Sequence, residues 1–304
     1  MQSTVKRPKQ AALVRVMKGF TKRRLNNRSR VMDGAIFLFL AFGAFFMGMP
    51  LILAVSSAFK PLDEFWLFPP TILPIHPTLR NFSDLFTIMS NSLVPFTRYL
   101  YNTVFITLVG TFGHVMIASM CAYALAKFRF KGKNLIFSAV VLSLMFSGAV
   151  TGIPNFMIMQ FLGFVDTHLA IIIPAIGASL GLYLMKQFME QIPDTYIESA
   201  RVEGAMEIQI FWRIVMPMVK PAWLTLTVLS VQALWNTGAS VFIFQEELKP
   251  LGFAVSQIMA GSAGVARAGV GAAVGVVMMS VPIVTFLVTQ SGIIETMGSS
   301  GLKE

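Results

Sequence analysis

Acidic, basic and metal-binding side chains are scarce in this 304-residue sequence, which holds 14 Asp and Glu, 3 His and 1 Cys. Cys121 stands alone, so neither an internal disulfide nor a cysteine-rich zinc site can form. Lying in an apolar run, it reads as a small buried hydrophobe. His114 sits in the middle of the same apolar run and invites a proton-relay reading. No Asp or Glu shares these runs with it, so a neutral imidazole bonded to a backbone carbonyl is expected. Convergent catalytic groups and metal ligands are absent. What remains is recognition chemistry. Gln232, Asn236 and Ser240 recur every four residues and would share one helix face, with Trp235 beside them. Amides and an indole suit the hydroxyls and weakly polar ring faces of sugars. Asn155 and Gln160 are further candidates. Equally, such amides can bind neighbouring membrane helices, and both readings stand open at this point.

The elements that position these residues follow from composition. The chain is 55% apolar and only 12% charged, whereas soluble domains carry about 25% charge. Most of its surface must therefore meet lipid. A membrane helix needs about 20 mainly apolar residues. Six stretches free of Asp, Glu, Lys and Arg qualify: Gly34–Phe59, Tyr99–Ala126, Asn134–Val165, Thr167–Met185, Pro221–Gln245 and Ala268–Ile294. In the third, the run Thr151-Gly152-Ile153-Pro154-Asn155 predicts a helix break, and Asp166 marks the turn into the fourth. The fold expected is an all-α, polytopic membrane protein of six spans.

The net charge of +10 arises in residues 1–32, which carry ten Lys or Arg and no acid. That arm precedes a long apolar span, so retention on the cytoplasmic side explains it better than nucleic-acid binding. The span is too long for a cleaved signal peptide. With the N-terminus inside, 19 of the 24 Lys and Arg lie on the cytoplasmic side and five outside. Both termini are thus expected in the cytoplasm. The organisation expected is an arm over 1–32, a six-helix domain over 33–294 and a tail over 295–304. Within the domain lie an external loop at 60–98 and a cytoplasmic loop at 190–217.

The cytoplasmic loop has its own pattern. Asp194 or Thr195 can cap a helix carrying Ile197, Ala200 and Arg201 at helical spacing. Gly204 interrupts, where a sharp turn leaves no room for a side chain. A second helix follows with Ile208, Phe211, Trp212 and Val215 on its apolar face, broken by Pro217. The outcome is a bent hairpin suited to docking.

Here the chain resembles a family. Glu198-Ser199-Ala200, Gly204, Ile214 and Pro217 look like the EAA loop of permeases from binding-protein-dependent ABC importers. Gly204 and Ile214 keep the spacing, while Ser199 and Met216 replace Ala and Leu. Ser57-Ala-Phe-Lys-Pro61, Phe68-Pro-Pro, Thr78-Leu-Arg-Asn-Phe82, Asn102-Thr103, Ala122-Tyr-Ala-Leu-Ala-Lys127 and Phe188-Met-Glu-Gln-Ile-Pro193 are similar to the carbohydrate-uptake branch, maltose-type second permease. The resemblance implies an ABC type I importer permease fold and a loop that couples to an ATPase. Glu198, Ser199, Ala200, Gly204, Ala205 and Pro217 would shape the loop, and Phe211 and Ile214 would brace it.

The resemblance further implies residence in a bacterial inner or plasma membrane and a set of partners: a second homologous permease, two cytoplasmic ATPase subunits, an external solute-binding protein and a sugar substrate. No G-x-x-x-x-G-K-[ST] loop occurs; Lys131-Gly-Lys-Asn134 lacks the upstream Gly and the Ser or Thr. No cofactor is therefore expected on this chain, with ATP and Mg on the partner subunits. It would be a conduit rather than an enzyme. Another solute such as glycerol phosphate, or a stand-alone secondary transporter, are the alternative readings.

Overall fold

The computed structural model describes residues 30–90, 94–238, 241–260 and 268–300, and the described residues are helical or irregular with no strand among them. Residues 1–29, most of the basic arm over 1–32, and residues 301–304 of the tail lie outside them, as does Ser240. The chain divides into two compact units, residues 1–53 and 54–304.

The first unit shows most of helix α1, Arg30–Ala58. Its side chains are apolar on every face and mostly exposed, with Phe37 at 71% and Met47 at 79%. A helix that is apolar all round has lipid or another apolar helix as its natural surroundings.

The second unit is built around α3, Phe96–Lys127, a 32-residue helix. It packs against α6 (Leu169–Ile176), α7 (Ser179–Glu190) and α10 (Lys220–Trp235). Helix α12, Ala268–Ser300, lies against α10, α2 (Arg80–Ser90) and α11 (Leu251–Ala260). Small residues let α3 pack closely. A Cβ on Gly110 would fall 2.7 Å from Leu234, and one on Gly113 would fall 2.6 Å from Ile176.

Among the described residues four helical stretches, one of them α6 and α7 together, are long and apolar enough to cross a membrane, and up to six spans result if two bent pairs each count once. The first pair is α4 (Lys133–Ser143) and α5 (Gly148–Phe161), bent by 114°. Its break falls at Leu144–Ser147, not at Thr151–Asn155 as Pro154 suggested. Pro154 lies inside α5, a position membrane helices tolerate where neighbours meet the freed backbone groups. The second pair is α9 (Glu207–Met218) and α10, bent by 80°. There too the proline does not stop the helix: Pro217 continues it, and the bend comes at Val219. A π turn over Phe211–Val215 precedes Pro217, which has no N–H to give to the preceding turn.

At the end of α3 near Phe96, polar side chains secure the segment before α11. Tyr99 donates to Glu246 at 2.7 Å, and Asn102 donates to the Glu247 and Lys249 carbonyls at 2.7 and 3.0 Å. Asp166, in a left-handed turn with φ of 62°, accepts from the Phe244 and Gln245 amides at 2.7 and 2.9 Å. Those amides hold its carboxyl below the usual carboxylate range. Cys121 is exposed on α3, not buried as its apolar surroundings suggested.

Candidate coupling site

The opposite end of α3 carries the bent hairpin. Helix α8, Asp194–Val202, starts after Pro193 as its cap residue, so neither Asp194 nor Thr195 fills that role. The Asp194 carboxylate instead accepts from Lys127 Nζ at 2.7 Å, and the same ammonium donates to the Ile192 carbonyl at 2.5 Å. The bond and charge of Lys127 hold Asp194 below its ordinary pKa.

Helix α8 ends in a Schellman arrangement. Gly204 has φ of 82°, the Gly204 amide donates to Arg201 and the Ala205 amide to Ala200, both at 3.0 Å. Ala200 and Ala205 then meet in one apolar cluster, the contact that usually accompanies this ending. A Cβ on Gly204 would find nothing within 4 Å. The glycine is required for its left-handed backbone and not, as the sequence suggested, because space is lacking.

The next helix opens at Glu207. The Gln209 side chain accepts from the Met206 amide at 3.2 Å, half of a capping box. Ile210, Phe211 and Val215 are buried, with Ile214 packed on the same cluster. Ile208 and Trp212, expected on the apolar face, point outward at 52% and 45% exposure, because the buried stripe runs through Ile210, Phe211, Ile214 and Val215 instead. Glu198, Ser199 and Pro217 are exposed as well. Glu198 lines a charged cleft of about 420 Å3 together with Lys127, Arg129, Asp194, Arg201 and Glu207. The result is a rigidly based hairpin with an outward face of Tyr196, Glu198, Val202, Met206, Ile208 and Trp212.

Comparison with known proteins identifies the chain. Residues 21–295 match the family model described as binding-protein-dependent transport system inner membrane component. The chain belongs to that family. Similar to this permease is protein LplC of Bacillus subtilis (strain 168), 32% identical over 212 residues covering 68% of each chain. The polygalacturonan/rhamnogalacturonan transport system permease protein YtcP of the same organism is 27% identical over 239 residues, covering 78% of this chain and 81% of its own. A crystal structure of a bacterial ABC transporter involved in import of the acidic polysaccharide alginate shares the fold. Its TM-score is 0.74 at 23% identity, covering 87% of this permease and 98% of that chain.

The residues of the permease singled out for cargo are dispersed. Gln232 is exposed on α10, and Asn236 is the residue that ends that helix, its amide donating to the Gln232 carbonyl at 2.9 Å. Since α10 stops there, the every-four spacing does not extend to Ser240, which lies outside the described residues. Trp235 is 3% exposed and its indole donates to the Met278 carbonyl at 2.9 Å. It joins α10 to α12 and offers no free ring face for a sugar. Asn155 is half-buried and Gln160 exposed, both on α5. None of these lines the apolar cavity of about 290 Å3 between α3, α6 and α10.

That cavity is edged by His114. Its Nε2 lies 3.1 Å from the Ala178 carbonyl and its Nδ1 2.9 Å from Ser230 Oγ. A carbonyl only accepts, so Nε2 carries the hydrogen and Nδ1 receives the Ser230 hydroxyl. The bond to a backbone carbonyl expected from sequence is present. Sequence reasoning missed two residues of the hairpin base, Tyr123 and Glu207. The spacing of 84 positions between them leaves no local signal.

Proposed function

We propose that the protein is the permease subunit of an ATP-driven importer for sugars or oligosaccharides, forming half of the translocation path. The observation that carries this reading is the hairpin: an exposed apolar and acidic face on a buried base, shaped like a docking element. Relatives named for oligosaccharide or polysaccharide transport support the cargo class. The charge asymmetry of the loops supports an orientation with the hairpin and both termini in the cytoplasm.

The chain lacks a nucleotide-binding loop, so energy comes from elsewhere. The assembly comprises this permease, a homologous second permease, two ATPase subunits that bind ATP and Mg, and an external solute-binding protein. ATP-driven closure of the ATPase pair displaces α8, and the helices switch between outward- and inward-facing arrangements. Cargo hydroxyls meet the amides of Asn155, Gln160, Gln232 and Asn236.

The test is reconstitution in proteoliposomes with the second permease, the two ATPase subunits and the external binding protein. Uptake of an oligosaccharide recognised by the external binding protein should require ATP inside, and should vanish when the ATPase is omitted. Uptake by this chain alone, driven by an ion gradient, would overturn the reading.

A further inference from the structure

Helix α3 holds the hairpin at two separated points. Near the start of α8, Lys127 grips the Ile192 carbonyl and Asp194. Past its other end, the Glu207 carboxylate joins two elements with its two oxygens. Oε1 accepts from Arg201 Nε of α8 at 2.6 Å, and Oε2 accepts from the Tyr123 hydroxyl of α3 at 2.8 Å. Tyr123 is 6% exposed, and its ring is fixed by Phe128 and Phe211, with centroids 5.6 and 5.5 Å away. The Arg201 guanidinium lies 5.7 Å from the Phe128 centroid, so its orientation is constrained as well.

One contact would leave α8 free to swivel; two contacts, reaching α3 one turn apart at Tyr123 and Lys127 and holding α8 by Asp194 and, through Glu207, by Arg201, restrict that freedom. Charge-assisted bonds in partly buried surroundings are the stronger kind. Because α3 also packs along α6, α7 and α10, motion imposed on α8 passes into the helices around it.

We infer that Glu207 and Tyr123 are positioning residues for coupling: they lock the Gly204 end of α8 to α3, so that the two move as one body. This rests on the permease reading above, and neither residue belongs to the EAA pattern.

The test uses the full assembly, co-expressed with its ATPase, with spin-label pairs measured nucleotide-free and after trapping with ATP and vanadate. The exposed native Cys121 supplies the label on α3, and Glu203→Cys or Thr195→Cys supplies the one on α8. With Glu207 intact, both distances should stay within about 2 Å between the two states. In Glu207→Gln and in Tyr123→Phe, the Cys121 to Glu203→Cys distance should shift by about 5 Å between states, while the Thr195→Cys pair, beside Lys127, stays fixed. Tyr123→Phe keeps the ring and its packing, so it serves if Glu207→Gln fails to assemble. A shift of that size with Glu207 intact, or unchanged distances in both variants, overturns the inference. Absence of any co-purifying ATPase overturns the permease reading itself, and this inference with it.

Discussion

The Ala205 amide donates to the Ala200 carbonyl at 3.0 Å, across a turn in which Gly204 alone has a left-handed backbone. That bond sets the bend between α8 and α9, and the left-handed backbone of Gly204 is what lets it form. Replacing Gly204 with Ala forces a Cβ into the left-handed region at a cost of about 1–2 kcal/mol. Since open space surrounds that Cβ, Gly204→Asn should cost less than Gly204→Ala. Hydrogen exchange of the amides from 200 to 206 checks the order. For Gly204→Trp, the ring adds bulk to the docking face, so ATP hydrolysis should continue while uptake is lost and membrane insertion persists.

His114 and Gly181 are matched in size. A Cβ on Gly181 would fall 2.2 Å from His114 Nε2, so Gly181→Ala must displace the ring from Ala178 and Ser230. Overpacking of this kind costs about 1–3 kcal/mol. His114→Ala removes the obstacle, so the double variant should lose less thermal stability in detergent than the two single losses added together. Strict additivity would show that the two positions do not meet.

For Trp235, the indole bond to Met278 predicts a packing role. Trp235→Phe should lower stability by about 1 kcal/mol, the usual worth of one such bond. Uptake affinity for cargo should stay where it was. A large rise in the half-saturating cargo concentration, with stability untouched, would return Trp235 to the translocation path.

The hairpin and the spans were legible in the sequence for different reasons. Lipid demands long apolar runs, and composition alone reveals them. The hairpin shows through Gly204, whose backbone requirement leaves a mark at one position. The bend between α4 and α5 left only the weak mark of Ser147-Gly148, since Leu144-Met-Phe-Ser147 contains neither Gly nor Pro, and Pro154 drew attention away from it. Extending the spacing from Gln232 to Ser240 assumed a helix that in fact stops at Trp235. The link from Tyr123 to Glu207 is a purely tertiary pairing, invisible without the fold.

Acid sensitivity follows from Lys127 and Asp194. Lys127 lowers the Asp194 pKa below its ordinary value of 3.8, so the tie contributes fully above that value and is lost as pH falls through the lower, folded-state pKa. The N-terminal end of α8 should therefore stay protected from exchange at pH 5 and open only in stronger acid, well below about 4. In Asp194→Asn, protection there should be weaker at neutral pH and should no longer change with acid.

The most direct test of coupling through the hairpin is photo-crosslinking from Glu198 and Val202, the latter 89% exposed, in membranes that contain the whole transporter. A crosslinker at either position should capture the ATPase subunit, and the yield should change when ATP and vanadate are added. Capture of lipid or of this chain alone, with no ATPase adduct in either state, would contradict the account.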